Sequence, residues 1–205
     1  FLNAADLVMA NSQEFVKSLK KEFNLEALCI YNPLDVNNII YQSNKIKKKY
    51  FKTKKIKILN IGRFTDQKDQ ITLVKSLNEI KNKINFEAII VGRGILKNQI
   101  KLKINKYKLS NKIKVLDFMQ NPYPIMKETN LFILTSKYEG LPNVLLEALT
   151  LKKFIISSNC DTGPKEILSN GKGGLLFRVG DYKTLAKRII FFNKNKQKLK
   201  KKILF

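Results

Sequence analysis

The sequence predicts an α/β protein in which helices cover both faces of a parallel β-sheet. From Lys55 onward, short apolar runs typical of buried strands alternate with longer segments whose apolar residues recur at helical spacing. The segments have the lengths expected of successive strand–helix units, and no repeat of fixed period interrupts them. With 205 residues, 44% of them apolar, the chain can form one full domain and part of another.

The first 30 residues predict a strand, a helix and a second strand. The strands are expected at 7–10 and 28–30, and Ser12 is placed to cap an amphipathic helix over 15–23. This unit is too small to fold alone, so we expect 1–36 to be the end of an N-terminal domain. Asn32-Pro33 predicts a turn, and we expect the Lys-rich stretch 37–54 to be a linker.

The main domain is expected over 55–193, with 194–205 beginning a further, truncated helix. Its strands are expected near 56–61, 87–91, 113–117, 130–134, 154–157 and 174–177. Helices are expected near 69–82, 95–108, 122–128, 142–151 and 163–168, with one more after Asp181. In such folds ligands bind at the carboxyl ends of the strands, so the loops there are the candidate binding loops.

One strand–loop–helix unit carries two carboxylates eight positions apart. Leu131–Leu134 predicts a buried strand, and Pro142 suits the first position of the following helix. Glu139 then lies in the loop and Glu147 about a turn and a half into the helix. The helix N-terminus favours phosphate, and a carboxylate can accept bonds from sugar hydroxyls, so the unit suits a nucleotide sugar. The alternative is two ordinary surface glutamates.

Basic residues follow the first strand of the main domain. Gly62-Arg63 comes directly after it, and Lys68 lies five positions further on. A guanidinium and an ammonium hold phosphate oxygens in complementary ways and can stabilise a diphosphate leaving group without a metal. An exposed loop lysine is the simpler alternative for Lys68, whereas Arg63 is one of only four arginines in the chain.

Histidine is absent and the two cysteines, Cys29 and Cys160, are far apart, so no Cys/His metal-ligand spacing can be assembled. Two sparse cysteines are compatible with a reducing cytoplasm. No apolar run approaches the ~18 residues of a membrane span. The chain begins at Phe1 without a charged-then-apolar leader, and we therefore expect no signal peptide.

The formal net charge of +24 comes almost entirely from lysine. One explanation is a coding bias that replaces Arg by Lys throughout a genome. Another is attraction to anionic lipid, at roughly 1 kcal/mol per Lys near a membrane surface. Nucleic-acid binding is less favoured, because the basic runs at 45–57 and 194–202 contain only two aromatic residues, Tyr50 and Phe51.

The segment Glu139–Glu147, within EGLPNVLLEAL, resembles the signature of the retaining glycosyltransferase family 4, which has the GT-B fold. The resemblance extends over about residues 4–190. Segments in the order such enzymes show lie at 5–12, 30–35, 61–68, 91–94, 118–123, 158–166 and 173–181.

The resemblance implies a role for each candidate residue. Arg63 and Lys68, with Gly62, would bind the donor diphosphate, and Glu139 would contact the donor sugar. Glu147 would bind the ribose. Backbone N–H groups of the loop and helix start would contact the sugar and phosphate: those of Gly140, Leu141 and Asn143. Two residues would lie beside the base, Phe118 and Met119. Plain core packing is an equal alternative for these two.

The implied protein is the Rossmann-like, donor-binding half of a retaining, metal-independent enzyme with no cofactor. It would move a hexosyl or N-acetylhexosaminyl group, from a donor expected to be UDP-linked, to a glycan or lipid-linked acceptor. We expect it in the cytoplasm, with peripheral contact to an anionic membrane and no nucleic-acid partner. The alternatives are a GT-B nucleotide-sugar epimerase and a non-catalytic nucleotide- or polyanion-binding module.

Overall fold

The computed structural model describes residues 5–46, 48–52 and 55–200. It begins with a small parallel pair of strands, β1 (Met9–Ala10) and β2 (Leu28–Cys29), joined by helix α1 (Gln13–Phe23). Ser12 caps α1 by accepting a hydrogen bond from the backbone of Phe15, as its position in the sequence predicts. The strand–helix–strand pattern expected for the first 30 residues is therefore present.

The main body is a six-stranded parallel sheet. Its strands are β3 (Ile56–Ile61), β4 (Phe86–Val91), β5 (Ile113–Leu116), β6 (Leu131–Leu134), β7 (Phe154–Ser158) and β8 (Leu175–Phe177). Their spatial order is β5-β4-β3-β6-β7-β8. The order reverses between β3 and β6, which are neighbours in space although two strands separate them in the chain. The predicted parallel α/β sheet is confirmed.

The helices cover both faces of this sheet. They are α2 (Val36–Asn44), α3 (Gln70–Ile80), α4 (Lys97–Lys106), α5 (Tyr123–Glu128), α6 (Asn143–Thr150), α7 (Pro164–Ile167) and α8 (Tyr182–Lys200). Successive strand residues point to opposite faces and both are buried: Ile58 packs with α3, α4 and α8, whereas Leu59 packs with α2, α5 and α6. Burial on both faces explains why the strands read as continuous apolar runs.

Three boundaries differ from the sequence prediction. The stretch expected to be a linker over 37–54 contains α2, because Asp35 caps its N-terminus and Ile39 is buried against the core. Pro142 is the N-cap of α6 and not its first residue, since its ψ of 98° is extended. The helix expected to begin at 194 is the continuation of α8, which has a non-helical residue at Asn195. Residues 201–205, at the end of that predicted segment, lie outside the described residues.

Candidate functional site

The loops after β3 and β6 meet at the carboxyl edge of the sheet. Because β3 and β6 are hydrogen-bonded neighbours, Gly62–Asp69 and Thr135–Pro142 leave the sheet side by side. This is also the point where the strand order reverses, which is where parallel α/β sheets open a crevice for ligands. The two loops hold most of the residues that the sequence singled out.

Lys68 and Glu139 form an ion pair at the centre of this edge. The Lys68 Nζ lies 2.5 Å from Glu139 Oε1, and the side chains are only 16% and 7% exposed. The Lys68 backbone carbonyl accepts a hydrogen bond from Thr135 Oγ1 at 2.9 Å, which fixes the origin of the lysine side chain. Sequence reasoning placed both residues at a donor site but did not predict that they contact each other.

Arg63 is held at the exposed rim of the same crevice. Its Nη2 donates to Gln67 Oε1 at 3.1 Å, and Gln67 in turn donates to the carbonyl of Tyr138 at 3.0 Å. The buried Gln70 donates to the Arg63 carbonyl at 2.9 Å. The Gln67 contact occupies one of the five N–H donors of this exposed guanidinium.

The Lys68 side chain passes beside Gly62 at the end of β3. A Cβ at Gly62 would lie 3.5 Å from Lys68 Cδ, which is ordinary van der Waals contact. The tighter glycine is Gly92, after β4, where a Cβ would lie 1.9 Å from the Gly62 carbonyl oxygen. Close approach of the β3 and β4 ends therefore requires Gly92, which lies in the 91–94 segment of the family resemblance.

Glu147 lies on α6, largely buried, with Tyr123 from α5 beside it. Burial raises the pKa of Glu147, and a hydrogen bond from the Tyr123 side chain acts in the opposite direction. Burial likewise raises the pKa of Tyr123, with the nearby Glu147 charge adding to the rise. Tyr123 was missed as a functional candidate, although it ends the Phe118–Tyr123 segment that carries part of the resemblance.

The N-terminal unit contacts the loop that carries Glu139. A Cβ at Gly140 would lie 3.3 Å from Asn11 Oδ1. Asn32 Nδ2 donates to the Leu141 carbonyl at 3.4 Å and to Asn143 Oδ1 at 2.7 Å. Leu141 is buried, whereas Asn143 begins α6, where backbone N–H groups have no intrahelical acceptor. Asn11 and Asn32 were not predicted, because only the fold brings them to this loop.

Phe118 and Met119, predicted beside a base, have different environments. Phe118 is 60% exposed, and the Arg93 guanidinium lies 5.0 Å from its ring centroid. Met119 is partly buried and packs against the core cluster that includes Ile125. Core packing thus accounts for Met119, while Phe118 and Arg93 form an exposed cation–π pair after β5 and β4.

The profile of one protein family, glycosyl transferases group 1, matches residues 42–203. The chain belongs to this family. The match covers most of the main body and both candidate loops, so the family resemblance noted in the sequence is confirmed at the level of the group 1 glycosyltransferases.

The curated relatives of this chain are about twice as long as the segment that it matches. An uncharacterized glycosyltransferase of Methanocaldococcus jannaschii is 36% identical over 176 residues, which are 82% of this chain and 43% of that protein. A Campylobacter jejuni enzyme, N-acetylgalactosamine-N,N'-diacetylbacillosaminyl-diphospho-undecaprenol 4-alpha-N-acetylgalactosaminyltransferase, is 28% identical over 181 residues, 85% of this chain and 47% of the enzyme. The chain therefore spans about half the length of the curated relatives it matches.

Solved structures show the same fold. A glycosyltransferase from Rickettsia africae superposes with a TM-score of 0.85 at 21% identity, covering 96% of this chain and 56% of that one. Anabaena HepE in complex with UDP and glucose superposes with a TM-score of 0.84 at 23% identity, covering 98% and 56%. At this identity the likeness establishes the GT-B glycosyltransferase fold, which confirms the fold prediction.

Proposed function

We propose that the chain is the donor-binding half of a retaining, metal-independent family 4 glycosyltransferase. It would bind a nucleotide sugar, in our proposal UDP-linked, and transfer its hexosyl or N-acetylhexosaminyl group to a glycan or lipid-linked glycan. In this proposal 55–193 forms the donor domain, and 1–36 belongs to the neighbouring acceptor domain.

The observation that carries the proposal is the grouping at the carboxyl edge of β3 and β6. The Lys68–Glu139 ion pair stands in the crevice, Arg63 lies at its rim, and Glu147 lies along α6 behind the helix N-terminus. In this proposal Glu139 binds the sugar, the two cations and the helix N-terminus bind the diphosphate, and Glu147 binds the ribose. Arg93 and Phe118, exposed at the next strand ends, would flank the base.

The chemistry would use these groups in distinct ways. As the bond between the anomeric carbon and the diphosphate breaks, negative charge grows on the leaving oxygen, and Arg63 and Lys68 would stabilise it. The acceptor hydroxyl would attack the anomeric carbon from the same face and give its proton to a leaving phosphate oxygen. Glu139 would orient the sugar. A double displacement needs carboxyl groups about 5 Å apart across the bond, and Glu139 and Glu147 are assigned to sugar and ribose instead.

The relatives support the choice of donor and acceptor. Several carry names of N-acetylhexosaminyltransferases. The Campylobacter jejuni enzyme described above is named for a diphospho-undecaprenol acceptor, and a Staphylococcus aureus relative is a poly(ribitol-phosphate) alpha-N-acetylglucosaminyltransferase. We extend to this protein an N-acetylhexosamine donor and an envelope glycan acceptor on that basis.

Calorimetric titration with UDP and UDP-N-acetylglucosamine tests the proposal. Glu147→Gln should weaken binding of both ligands about tenfold or more, because both carry the ribose and a hydrogen bond to a charged group contributes roughly 1.5–3 kcal/mol. Glu139→Gln should leave UDP affinity nearly unchanged while weakening the UDP-sugar. Glu79→Gln, on the exposed side of α3, is the matched control.

Four results would contradict the proposal. Folded protein that takes up neither ligand at low salt would exclude a donor domain. Equal losses of UDP affinity in Glu139→Gln and Glu147→Gln would show that the two roles are assigned wrongly. Binding of DNA as tight as that of UDP, with no nucleotide preference, would favour a polyanion-binding module. In the complete enzyme, an inverted anomer in the product would exclude retention.

We also propose that a lysine-lined groove at the opposite edge of the sheet contacts anionic membrane. A cavity of about 690 Å³ opens where β3 and β6 begin, and a second of about 420 Å³ adjoins it beside β7. Lysines on their walls come from distant segments: Lys48, Lys49, Lys52 and Lys57, with Lys127, Lys152, Lys153 and Lys196. Of the predicted basic runs, Lys47, Lys54, Lys201 and Lys202 lie outside the described residues.

Lipid suits this groove better than nucleic acid. The wall carboxylate Glu128 already accepts hydrogen bonds from Lys57 at 2.8 Å and from the Tyr50 backbone at 2.8 Å, so the cationic charge prevails. The aromatic rings in the walls, Phe51, Phe154 and Phe192, are at most 3% exposed and offer no face for stacking bases. No helix in the described part of the chain is long and apolar enough to cross a membrane.

A further inference from the structure

A glutamate of helix α1 and a glutamate of helix α7 each accept hydrogen bonds from the backbone at the N-terminus of the other helix, a reciprocal exchange beside the loop that carries Glu139. Glu166, in the first turn of α7, accepts hydrogen bonds from the backbone of Gln13 (3.1 Å) and Glu14 (3.3 Å), the first residues of α1. In return, Glu14 Oε2 accepts a hydrogen bond from the Gly163 backbone N–H at 3.1 Å, just before α7. Each carboxylate satisfies N–H groups that the other helix leaves without an intrahelical acceptor.

Glu166 lies in the first turn of α7 but accepts hydrogen bonds from another helix. Its partners lie about 150 positions away in the chain, on the N-terminal unit. Tyr31, after β2, adds a third donor: its hydroxyl lies 2.5 Å from Glu166 Oε1. This hydrogen bond to a carboxylate raises the pKa of Tyr31 to about 12. Glu166 therefore joins three backbone and side-chain donors of the N-terminal unit to α7.

This arrangement disfavours the ionised form of Glu14. Burial raises the pKa of Glu14, the Gly163 N–H opposes the rise, and the nearby Glu166 charge adds to it. Two like charges are thus brought together and partly buried, which is unfavourable unless both carboxylates are well hydrogen-bonded. The protein donors that these hydrogen bonds use lie on the opposite unit in each case, so the arrangement joins the N-terminal unit to α7.

The exchange is mechanically connected to the loop that carries Glu139. Gly163 has a φ of +85°, and a Cβ there would lie 2.0 Å from the Gly140 carbonyl oxygen, so its backbone rests directly on that loop. The neighbouring Thr162 hydroxyl donates to the Glu139 carbonyl. Glu14 therefore fixes the Gly163 backbone through a hydrogen bond. Gly163 in turn packs on Gly140, and Thr162 is hydrogen-bonded to Glu139.

We propose that Glu14 and Glu166 are positioning residues that fix the 139–143 loop for recognition of the donor sugar. The inference rests on the proposed assignment of Glu139 to the sugar. The ribose site does not depend on it, because Glu147 is carried by α6, whose Leu145 and Ala148 are fully buried in the core. Loosening the exchange should therefore weaken the sugar contact most and the nucleotide less, since the same loop would contact the diphosphate but not the ribose.

The two glutamates should respond differently to the same substitution. Glu166 receives three donors on two oxygens, and Gln offers a single oxygen, so Glu166→Gln leaves at least one donor unsatisfied. Glu14 receives one donor, so Glu14→Gln can keep it whereas Glu14→Ala cannot. Glu22→Gln, on the exposed side of α1, is the matched control, and Tyr31→Phe removes one donor without altering the backbone.

Titration with UDP and UDP-N-acetylglucosamine gives the first readout. Glu166→Gln and Glu14→Ala should weaken UDP-sugar binding about tenfold, the loss typical of a hydrogen bond to a charged group, with a clearly smaller loss of UDP affinity. Glu14→Gln and Glu22→Gln should match the parent, and Tyr31→Phe should fall between. Parallel losses for both ligands, or none for either, would overturn the inference.

Amide hydrogen exchange without ligand gives a second readout that does not depend on the proposed function. In Glu166→Gln and Tyr31→Phe, exchange over 139–143 and the start of α1 should accelerate while β6 stays protected. Unchanged exchange over 139–143 in folded variants would overturn the positioning role. If the parent binds neither ligand but the loop is loosened as expected, the proposed donor function fails and the structural coupling stands.

Discussion

At the residue scale, Glu139 and Glu147 are the same amino acid in opposite electrostatic situations. Glu139 is paired with Lys68 at 2.5 Å, whereas burial raises the pKa of Glu147. A carboxyl whose pKa is raised on folding contributes stability at low pH, and that contribution is lost as the pH rises through its folded-state pKa. At neutral pH the ionised Glu147 therefore opposes folding, which a bound ribose would compensate through its hydroxyls.

The two glutamine variants should consequently change stability in opposite directions. At pH 7.5, Glu147→Gln should unfold at the same or a higher temperature than the parent, and the difference should shrink by pH 5 as the parent carboxyl takes up protons. Glu139→Gln should lose about 2 kcal/mol, because it leaves the buried Lys68 ammonium without its counter-charge. Thermal unfolding at both pH values measures this.

A Glu147→Gln variant less stable than the parent at pH 7.5 would show that Tyr123 and its surroundings favour the ionised form. The combination expected here, lower nucleotide affinity with undiminished stability, is the usual relation between a functional residue and the fold that carries it.

Much of the site could be predicted at this scale, and the part that could not has a common cause. Arg63, Lys68, Glu139 and Glu147 stand in local patterns, a strand end followed by a loop or a helix start, that are visible in the sequence. Contacts between segments are not: the ion pair joins residues 71 positions apart, and Glu166 binds residues more than 150 positions away. Such partners depend on the order of strands in the sheet.

At the scale of elements, the strands were the most predictable feature. Runs such as Leu131–Leu134 are buried on both faces, which leaves an unmistakable apolar signal. Helix α2 was missed because its polar composition, with three Asn, and the lysines that follow it resemble a linker. The Asp35 cap and the packing of Ile39 against the core stabilise it as a helix. Weak propensity was overridden by tertiary contacts.

The close approach of β3 and β4 makes a prediction about Gly92. Gly92→Ala would place a methyl group 1.9 Å from the Gly62 carbonyl oxygen and 2.9 Å from the Phe64 ring, so the strand ends must separate. We expect a loss of about 1–3 kcal/mol in unfolding free energy, with weaker UDP binding because Arg63 moves with Gly62.

Gly173→Ala is the control for this substitution. A Cβ there would lie 3.6 Å from its nearest neighbour, the Leu168 carbonyl oxygen, and should fit without displacement. Denaturant unfolding gives the stability and calorimetry the UDP affinity. If Gly92→Ala matched Gly173→Ala in unfolding free energy and in UDP affinity, the ends of β3 and β4 could separate without loss of stability. The position of Arg63 would then not depend on their close approach.

At the scale of the whole molecule, the net charge of +24 should act through the lysine-lined groove. The triple variant with Lys48, Lys49 and Lys52 changed to Gln should reduce partitioning onto anionic vesicles on the order of 100-fold, at about 1 kcal/mol per Lys. Its match is a triple variant of Lys83, Lys101 and Lys106, which removes the same charge elsewhere. Sedimentation with phosphatidylserine-containing and neutral vesicles is the measurement.

Binding should fall as salt rises, since charges are screened beyond ~8 Å at physiological ionic strength. Saturating UDP should not compete, because the groove and the candidate donor site lie at opposite edges of the sheet. Equal effects of the two triple variants would mean that the lysine excess is compositional, and indifference between anionic and neutral vesicles would exclude the membrane contact.

The reversal of strand order between β3 and β6 has a consequence for how the molecule acquires activity. One lobe of the sheet, β3 to β5, carries Lys68, and the other, β6 to β8, carries Glu139. Within the sheet the two lobes are joined along the β3–β6 seam, where Ile58 pairs with Leu131. The charge pair is complete only when this seam has formed. Under the proposed function, UDP binding would therefore report the β3–β6 pairing, and a chain divided between β5 and β6 would regain it only by reassembly.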